Sequence, residues 1–458
     1  MLITETDRGL GRVVGPGDEA WDRARGTFNL LDDQQPEAIA FPADAREVAA
    51  VVAHARDRGL RVAAQATGHN AAPLGSLEGT LILNTSALTG VSIDADARRV
   101  RVGAATRWQE VTPRLSELEL AALHGSSPDV GVVGYSLGGG IGWLARKHGL
   151  QANAVTAIEL VTADGELVRT DAEVEPDLFW ALRGGNGNFG IVTAIEFAAL
   201  PLRELYAGAM FFPLEQTSPV LHAWTELLPT FPEELTSWAS VIHFPPLPEI
   251  PEPVRGRAFM IVMAAFLGSE AEGRELLRPL RALSPRLDTF ATTPPVGLSD
   301  LSMDPRDPLP FRMAHALLDE LPAAAIEVVG QVAGPGSALA LVEFRHLGGA
   351  LGRHEPGAGA RATLPGEICM LGLGVVPEAS AEPAVVSELA AISVALAPNH
   401  VGDYPNFVDR PSDASVFFDA DTWQRLRQVK AAYDPEDVFK GNHHIPPAAP
   451  SQADGGCS

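Results

Sequence analysis

The sequence predicts an α+β protein with short strands, and three observations carry the prediction. Between residues 37 and 149, short apolar runs alternate with segments whose apolar residues recur at helical spacing. The pair Asp164-Gly165 stands between two β-rich runs, a strong hairpin signal. Near residue 204 the composition shifts, and prolines and glycines punctuate a second set of strand-like and helical runs. A chain of 458 residues exceeds one ordinary core, so two or three domains are expected.

Taken in order, residues 45–56 read as an amphipathic helix with Asp44 as N-cap and Gly59 as its stop. Residues 60–65 read as a strand entering a turn at Gly68, 81–84 and 100–103 as two more strands, and 108–118 as a helix. The hairpin pairs 157–162 with 167–169, and 176–182 is a helical turn ahead of a glycine-rich loop at 183–190. Beyond the shift, 259–267 and 339–344 have strand character, whereas 270–283 and 383–396 look helical, the latter opening on Pro383. Residues 204–401 are accordingly expected to form a separate α+β domain. A basic amphipathic helix at 421–433 ends at Asp434-Pro435, and the Pro/Ala/Ser/Gly-rich end, 448–458, reads as a flexible tail. No internal repeat is found.

Hydrophobic residues make up 46% of the chain and charged residues 20%, a globular composition. With 34 Lys and Arg against 58 Asp and Glu, the net charge of −24 repels phosphate backbones and anionic lipid surfaces. Neither nucleic acid nor membrane is an expected partner. Residues 1–7 lack a basic region followed by an apolar run, and no uncharged stretch reaches transmembrane length, so a cytoplasmic location is expected. The two cysteines, Cys369 and Cys457, are far apart and offer neither a disulfide framework nor a thiolate metal site. Homo-oligomerisation is compatible with the sequence.

Residues 124–143 hold the densest signal, with Gly131, Gly134, Gly138, Gly139, Gly140 and Gly142 in one run. Such a backbone can visit φ > 0 and come close to something large and flat, as proteins that wrap a nucleotide cofactor do. The spacing is not the GxGxxG fingerprint and lacks a Walker lysine; tight packing without a ligand is the other reading. The segment Ala66-Thr67-Gly68-His69-Asn70 follows a strand, and its successive N–H groups could form a nest for a diphosphate. His69 alone is equally readable as a hydrogen-bonded surface histidine.

Together with the 183–190 loop, these segments resemble the flavin domain of FAD-linked oxidases of the berberine bridge enzyme-like group, in the vanillyl-alcohol oxidase/PCMH superfamily. The resemblance extends over 143–150, 161–165 and 178–185, over Tyr404-Pro405-Asn406-Phe407, and over a closing segment at 433–442. It implies a two-subdomain PCMH-type FAD-binding domain at 1–203. A substrate domain at 204–401 would lay an antiparallel sheet over the flavin, and 402–447 would return to the first domain. His69 matches the histidine bonded to the flavin 8α-methyl, and the backbone at 66–70 and 134–142 would cradle the diphosphate. Asn188, Gly190, Ile191, Val192, Asn406 and Asn442 are further implied FAD contacts.

Ser127 stands where many members carry a second, cysteinyl link. A hydroxyl is too poor a nucleophile to replace a thiolate there, so attachment through His69 alone is expected. Gln65 replaces the family's arginine and Asn153 its aspartate, removing one charge of each sign. Val130 matches a position where a small branched residue accompanies fast reaction with oxygen.

The chemistry implied is a two-electron oxidation of an alcohol, sugar or other secondary metabolite, by hydride transfer to flavin N5, with oxygen leaving as hydrogen peroxide. A dehydrogenase with another acceptor, or a flavin-binding protein without turnover, are the alternatives. Tyr404 is the leading base, though a free tyrosine titrates at about 10 and needs a cationic neighbour or the flavin's own environment to act near neutral pH. A role confined to hydrogen bonding is its other reading. Arg345 and His346, in 341–349, lie on opposite faces of an expected strand. Either face is a candidate for the flavin cleft or for a solvated, salt-bridged surface. Glu367 and Cys369 are candidate pocket residues, with tight packing the alternative for Cys369.

Overall fold

The computed structural model describes residues 9–449. The first eight residues, Cys457 and nearly all of the expected 448–458 tail lie outside the described residues. Two small sheets and one large one organise the described residues, beside a two-stranded pair of Leu120–Ala121 and Leu200–Pro201. Strands Ala38–Phe41, Thr80–Asn84 and Arg61–Gln65 pair in parallel, with Arg12–Val14 antiparallel at the edge. Helix Ala45–Asp57 covers this sheet through Val48, Val51, Val52 and Ala55. Its N-cap Asp44 accepts from the Arg46 and Glu47 amides, and Gly59 follows it at φ +66, so the sequence-level start and stop both act as capping chemistry dictates.

The second sheet is antiparallel, in the order Val91–Asp94, Arg99–Gly103, Ile191–Ala198, Val155–Val161, Leu167–Asp171. Helices Trp108–Glu117 and Pro176–Leu182 bury Trp108, Val111, Leu115, Leu178 and Phe179 against it. The chain's end returns here. Lys430, fully buried on helix Ala420–Tyr433, donates to the carbonyls of Asn188 and Phe439 at 2.8 and 3.0 Å and pairs with Asp434. Val62 then exchanges backbone hydrogen bonds with Val438 and Lys440, which adds the closing segment to the edge of the first sheet.

The third sheet draws nine antiparallel strands from residues 205–402. At its centre, Ala258–Phe266, Leu235–His243, Leu341–His346, Ile368–Val375 and Phe311–Leu318 lie side by side. Helices Thr217–Leu227, Ala323–Val332 and Glu382–Leu396 cover one face. The opposite face looks toward the first two sheets.

Several strands and helices of this region carry no alternation that sequence reading can use. Leu205–Pro213 is buried along nearly its whole length, and a strand buried on both sides reads as a continuous apolar run. The single helix expected over 270–283 is instead two, Glu270–Leu276 and Arg278–Arg281. Pro279, in the first turn of the second, lacks the N–H that a continuous helix requires. Among the described residues no helix is long and apolar enough to cross a membrane.

Candidate active site

A cleft of about 330 Å³ opens between the first sheet, the 125–135 stretch and the large sheet. One wall comes from strand Arg61–Gln65 and the turn after it. Gly68 takes φ +73, and a Cβ there would press on Thr27, so only glycine lets the chain turn beside that segment. The turn presents His69 with its ring stacked on Phe28, centroids 3.9 Å apart. His69 Nδ1 lies 2.8 Å from Thr67 Oγ1, and Nε2 lies 3.1 Å from Asp129 Oδ2. Ser127 Oγ donates to the other oxygen of the same carboxylate at 2.5 Å. Burial pushes the Asp129 carboxyl up, but the hydrogen bonds from His69 and Ser127 together outweigh it and hold it below the usual carboxylate range.

A second wall is the 125–135 stretch: Ser126, Ser127, Val130, Gly131, Gly134 and Tyr135 all border the cleft. The third is the face of the large sheet that carries Leu341, Arg345, Leu371, Leu373 and Met313. Arg345 Nε donates to Glu343 Oε1 at 2.7 Å, with both side chains almost fully buried. Its guanidinium lies 4.0 Å over the Trp238 ring and reaches Ser126 Oγ at 3.3 Å. Both side chains are shut off from water, so the solvated reading of this strand face does not hold. Asp304, on a loop at the same corner, borders the cleft, and burial followed by Glu343 raises its carboxyl above the ordinary range.

Tyr404 closes the cleft from the returning segment. Its oxygen accepts from the Gly140 amide at 2.8 Å and from Asn406 Nδ2 at 2.9 Å. Both acceptor directions are thereby used, which leaves the O–H to donate. Burial raises the phenol well above its usual range, and Arg361, the cationic neighbour, does not cancel that rise. This geometry places the Tyr404 hydroxyl on the cleft wall with its O–H turned to whatever the cleft holds.

Other sequence candidates divide cleanly. Ala66, Thr67, Gly68, His69, Asn70, Ser127, Val130, Gly131, Gly134, Arg345, Tyr404, Asn406 and Asn442 all line the cleft. His346 does not: strand alternation turns it to the helix-covered face, 6.3 Å from the Phe231 ring. Burial and Arg146 pull its imidazole down to about 3, so it is a neutral core histidine.

Gly138, Gly139, Gly140 and Gly142 do not line the cleft either. A Cβ on Gly138, Gly140 or Gly142 would collide with Asn406, Tyr135 or the His124 carbonyl, and Gly139 takes φ +124 close against Arg361; these glycines serve packing between protein segments. Asn188 is buried, bonding Gly185, His443 and Ile445. A Cβ on Gly190 would meet Leu160, and Ile191 and Val192 are core residues of their strand. Glu367 and Cys369 are absent from the lining; burial pushes the Cys369 thiol up to about 12, and it packs with Leu347 and Tyr404.

Sequence reading missed Asp129 and Asp304. Asp129 had a signal, a carboxylate inside an otherwise apolar and glycine-rich run; Asp304 had none.

Residues 36–171 match the FAD binding domain family and residues 404–446 the family described as berberine and berberine like. The chain belongs to the berberine bridge enzyme-like, PCMH-type superfamily of FAD-linked oxidases. Among its relatives, (R)-6-hydroxynicotine oxidase of Paenarthrobacter nicotinovorans is 26% identical over 95% of this chain and 97% of its own. Glucooligosaccharide oxidase of Sarocladium strictum is 35% identical over 41% of this chain and 38% of its own. The fold is that of BBE-like 1 of Physcomitrella patens, with a TM-score of 0.83 at 20% identity over 97% of this chain and 100% of that one.

As a member of this superfamily the chain is an FAD-linked oxidoreductase, and the cleft fits the cofactor. Gly131 and Gly134 present no side chain to it, and a Cβ on Gly134 would meet open space. Gln65 Oε1 is buried on the cleft wall without a partner, an acceptor that calls for a donor.

Proposed function

We propose that the protein oxidises a small organic molecule by two electrons, with FAD attached through His69 alone and molecular oxygen as acceptor. The reading is carried by the Ser127–Asp129–His69 chain on the wall of a glycine- and alanine-lined cleft. The Asp129 carboxylate accepts the Nε2 proton of His69, which leaves Nδ1 with its lone pair for a bond to the 8α carbon. Ser127, its hydroxyl spent on Asp129, anchors the carboxylate and forms no second link. The backbone of residues 66–70, with Gly131 and Gly134, holds the dinucleotide.

When bound, the flavin supplies the two-electron acceptor for the substrate and passes the electrons to oxygen, which leaves as hydrogen peroxide. Asp304 takes the substrate's hydroxyl or amine proton, because it is a carboxylate on the cleft wall whose burial makes it a stronger base than an exposed one. Arg345 fixes the corner beside Asp304, and the Tyr404 O–H donates a hydrogen bond into the cleft. Val130, small and on the cleft wall, keeps access open for oxygen. The cytoplasm is the location that goes with this reading.

Denaturation of purified protein tests the attachment. Yellow colour should stay with the polypeptide and be lost from it in His69→Ala; release of all flavin by acid precipitation of the wild type refutes the covalent link. Peroxide formation during aerobic turnover tests the acceptor. Reduction of an artificial dye without peroxide would make the protein a dehydrogenase.

A further inference from the structure

We propose that the substrate is a compact, largely apolar molecule bearing a single hydroxyl or amine, and not an oligosaccharide. The inference rests on the oxidoreductase reading above and concerns the chemistry of the sheet that floors the cleft. Cross-strand register places Leu341 opposite Leu373 and Leu373 opposite Met313, and directly paired residues share a face. The next row on that face runs Ser240, Glu343, Leu371, His315.

The polar members of this row are already committed. Glu343 accepts from Arg345 at 2.7 Å and from Ser240 at 3.0 Å. His315 Nε2 accepts the Tyr404 amide at 3.1 Å and lies 3.2 Å from Asp403. What the floor offers a ligand is therefore aliphatic. Sugar rings carry hydroxyls around their rims, and each one set against an aliphatic wall loses its water without a replacement, at a cost that accumulates. An apolar ring or alkyl body gains from the same wall.

Beside this aliphatic floor, Arg345, Asp304 and Ser126 line one polar corner of the cleft. That corner suits one hydroxyl or amine head. A small molecule held by an apolar wall and a few convergent polar groups is the usual form of such a site.

The test compares benzyl alcohol and benzylamine with cellobiose on the purified, flavin-containing protein. Binding is read by the shift in melting temperature and by perturbation of the flavin absorption. The aromatic probes should bind at least about tenfold more tightly than cellobiose, and Leu371→Asn with Leu373→Asn should weaken them about tenfold or more, the worth of two exposed leucine contacts. Cellobiose binding as tightly as the aromatics, or neither class binding, overturns the proposal on wild-type protein alone, whether or not the variant folds. A colourless preparation would refute the cofactor reading instead, and the melting shifts would still decide this one.

Discussion

Two glycines only four residues apart should respond to alanine in opposite ways. Gly138 has φ −91 and ψ 0, a conformation open to any residue, so the cost of Gly138→Ala is purely steric. The new methyl would fall on Asn406 Oδ1 and come within 2.9 Å of Asn186 Oδ1. Asn406 would have to swing away, losing its hydrogen bonds to Tyr404 at 2.9 Å and to the Tyr135 carbonyl at 3.1 Å. Overpacking costs about 1–3 kcal/mol, and two lost bonds cost about 1 kcal/mol each, giving a destabilisation of about 3–5 kcal/mol.

Gly134 sits inside helix Val132–Leu137 with open space where a Cβ would go. Gly134→Ala should leave the protein as stable or up to about 1 kcal/mol more so, while placing a methyl in the cleft. Urea melts followed by tryptophan fluorescence, with the flavin-to-protein ratio measured in parallel, separate the two effects. Gly138→Ala should shift the midpoint strongly downward; Gly134→Ala should hold the midpoint and lose flavin. An unshifted melt for Gly138→Ala would refute the claim that this glycine exists for packing.

Asp129→Asn should leave the protein folded but lower the fraction of flavin that survives denaturation by tenfold or more, seen as loss of in-gel fluorescence; full retention would remove Asp129 from the attachment chemistry. Asp304→Asn should reduce kcat by at least a hundredfold, the typical worth of a general base. In the wild type kcat/KM should fall as pH drops through the raised range of Asp304, because the base works deprotonated. Acid should also destabilise the fold. His124 and His443 are buried with pKa values pulled down to about 4 by burial, so the native state binds fewer protons than the unfolded state between that value and 6.5. Each contributes about 3 kcal/mol above this window, lost as pH falls from 6.5 to 4. Asp32, raised to about 6 mainly by burial, acts in the opposite direction, but it is half-buried and screening reduces its share. A melting temperature that stays flat from pH 7 to pH 4.5 would contradict this balance.

Where local chemistry decides an element, the sequence was enough. Asp44 and Gly59 bracket their helix, and Asp164-Gly165 turns its hairpin between Val155–Val161 and Leu167–Asp171. The cleft residues legible in advance, His69, Ser127, Val130 and Tyr404, belong to contiguous motifs. What escaped depends on pairing between distant segments. Leu371 and Leu373 face the cleft only because Ile368–Val375 pairs with Phe311–Leu318 and Leu341–His346 in one register. Asp304 lies across the cleft corner from Ser126, more than 170 residues away in the chain, and the Asp304-Pro305 and Asp307-Pro308 pairs mark its segment as a turn without marking it as a cleft wall. The glycine run divides between cleft wall and segment packing for the same reason. Gly134 and Gly138 are indistinguishable in sequence, and only the position of Asn406, brought in by the returning segment, tells them apart.

In the proposed attachment chemistry, Ser127 has a positioning role rather than a bonding one. A thiolate at this position would compete with Asp129 for charge beside His69, and two anions at that spacing repel. A serine removes the competition, and its hydroxyl donates to the carboxylate at 2.5 Å. That bond fixes Asp129 Oδ1 and leaves Oδ2 for His69 Nε2 at 3.1 Å, so the orientation of the imidazole is set by a donor on the neighbouring wall. Ser127→Ala separates this positioning role from mere space filling. It removes one hydrogen bond to a charged group, so it should destabilise the fold by about 1.5–3 kcal/mol at most, yet it should slow flavin attachment, measured as the rate at which apoprotein given FAD acquires acid-stable colour. Restoration of the attachment rate by Ser127→Thr, which keeps the hydroxyl, would tie the effect to the Ser127–Asp129 bond; an attachment rate in Ser127→Ala equal to that of the wild type would break the chain at its first link.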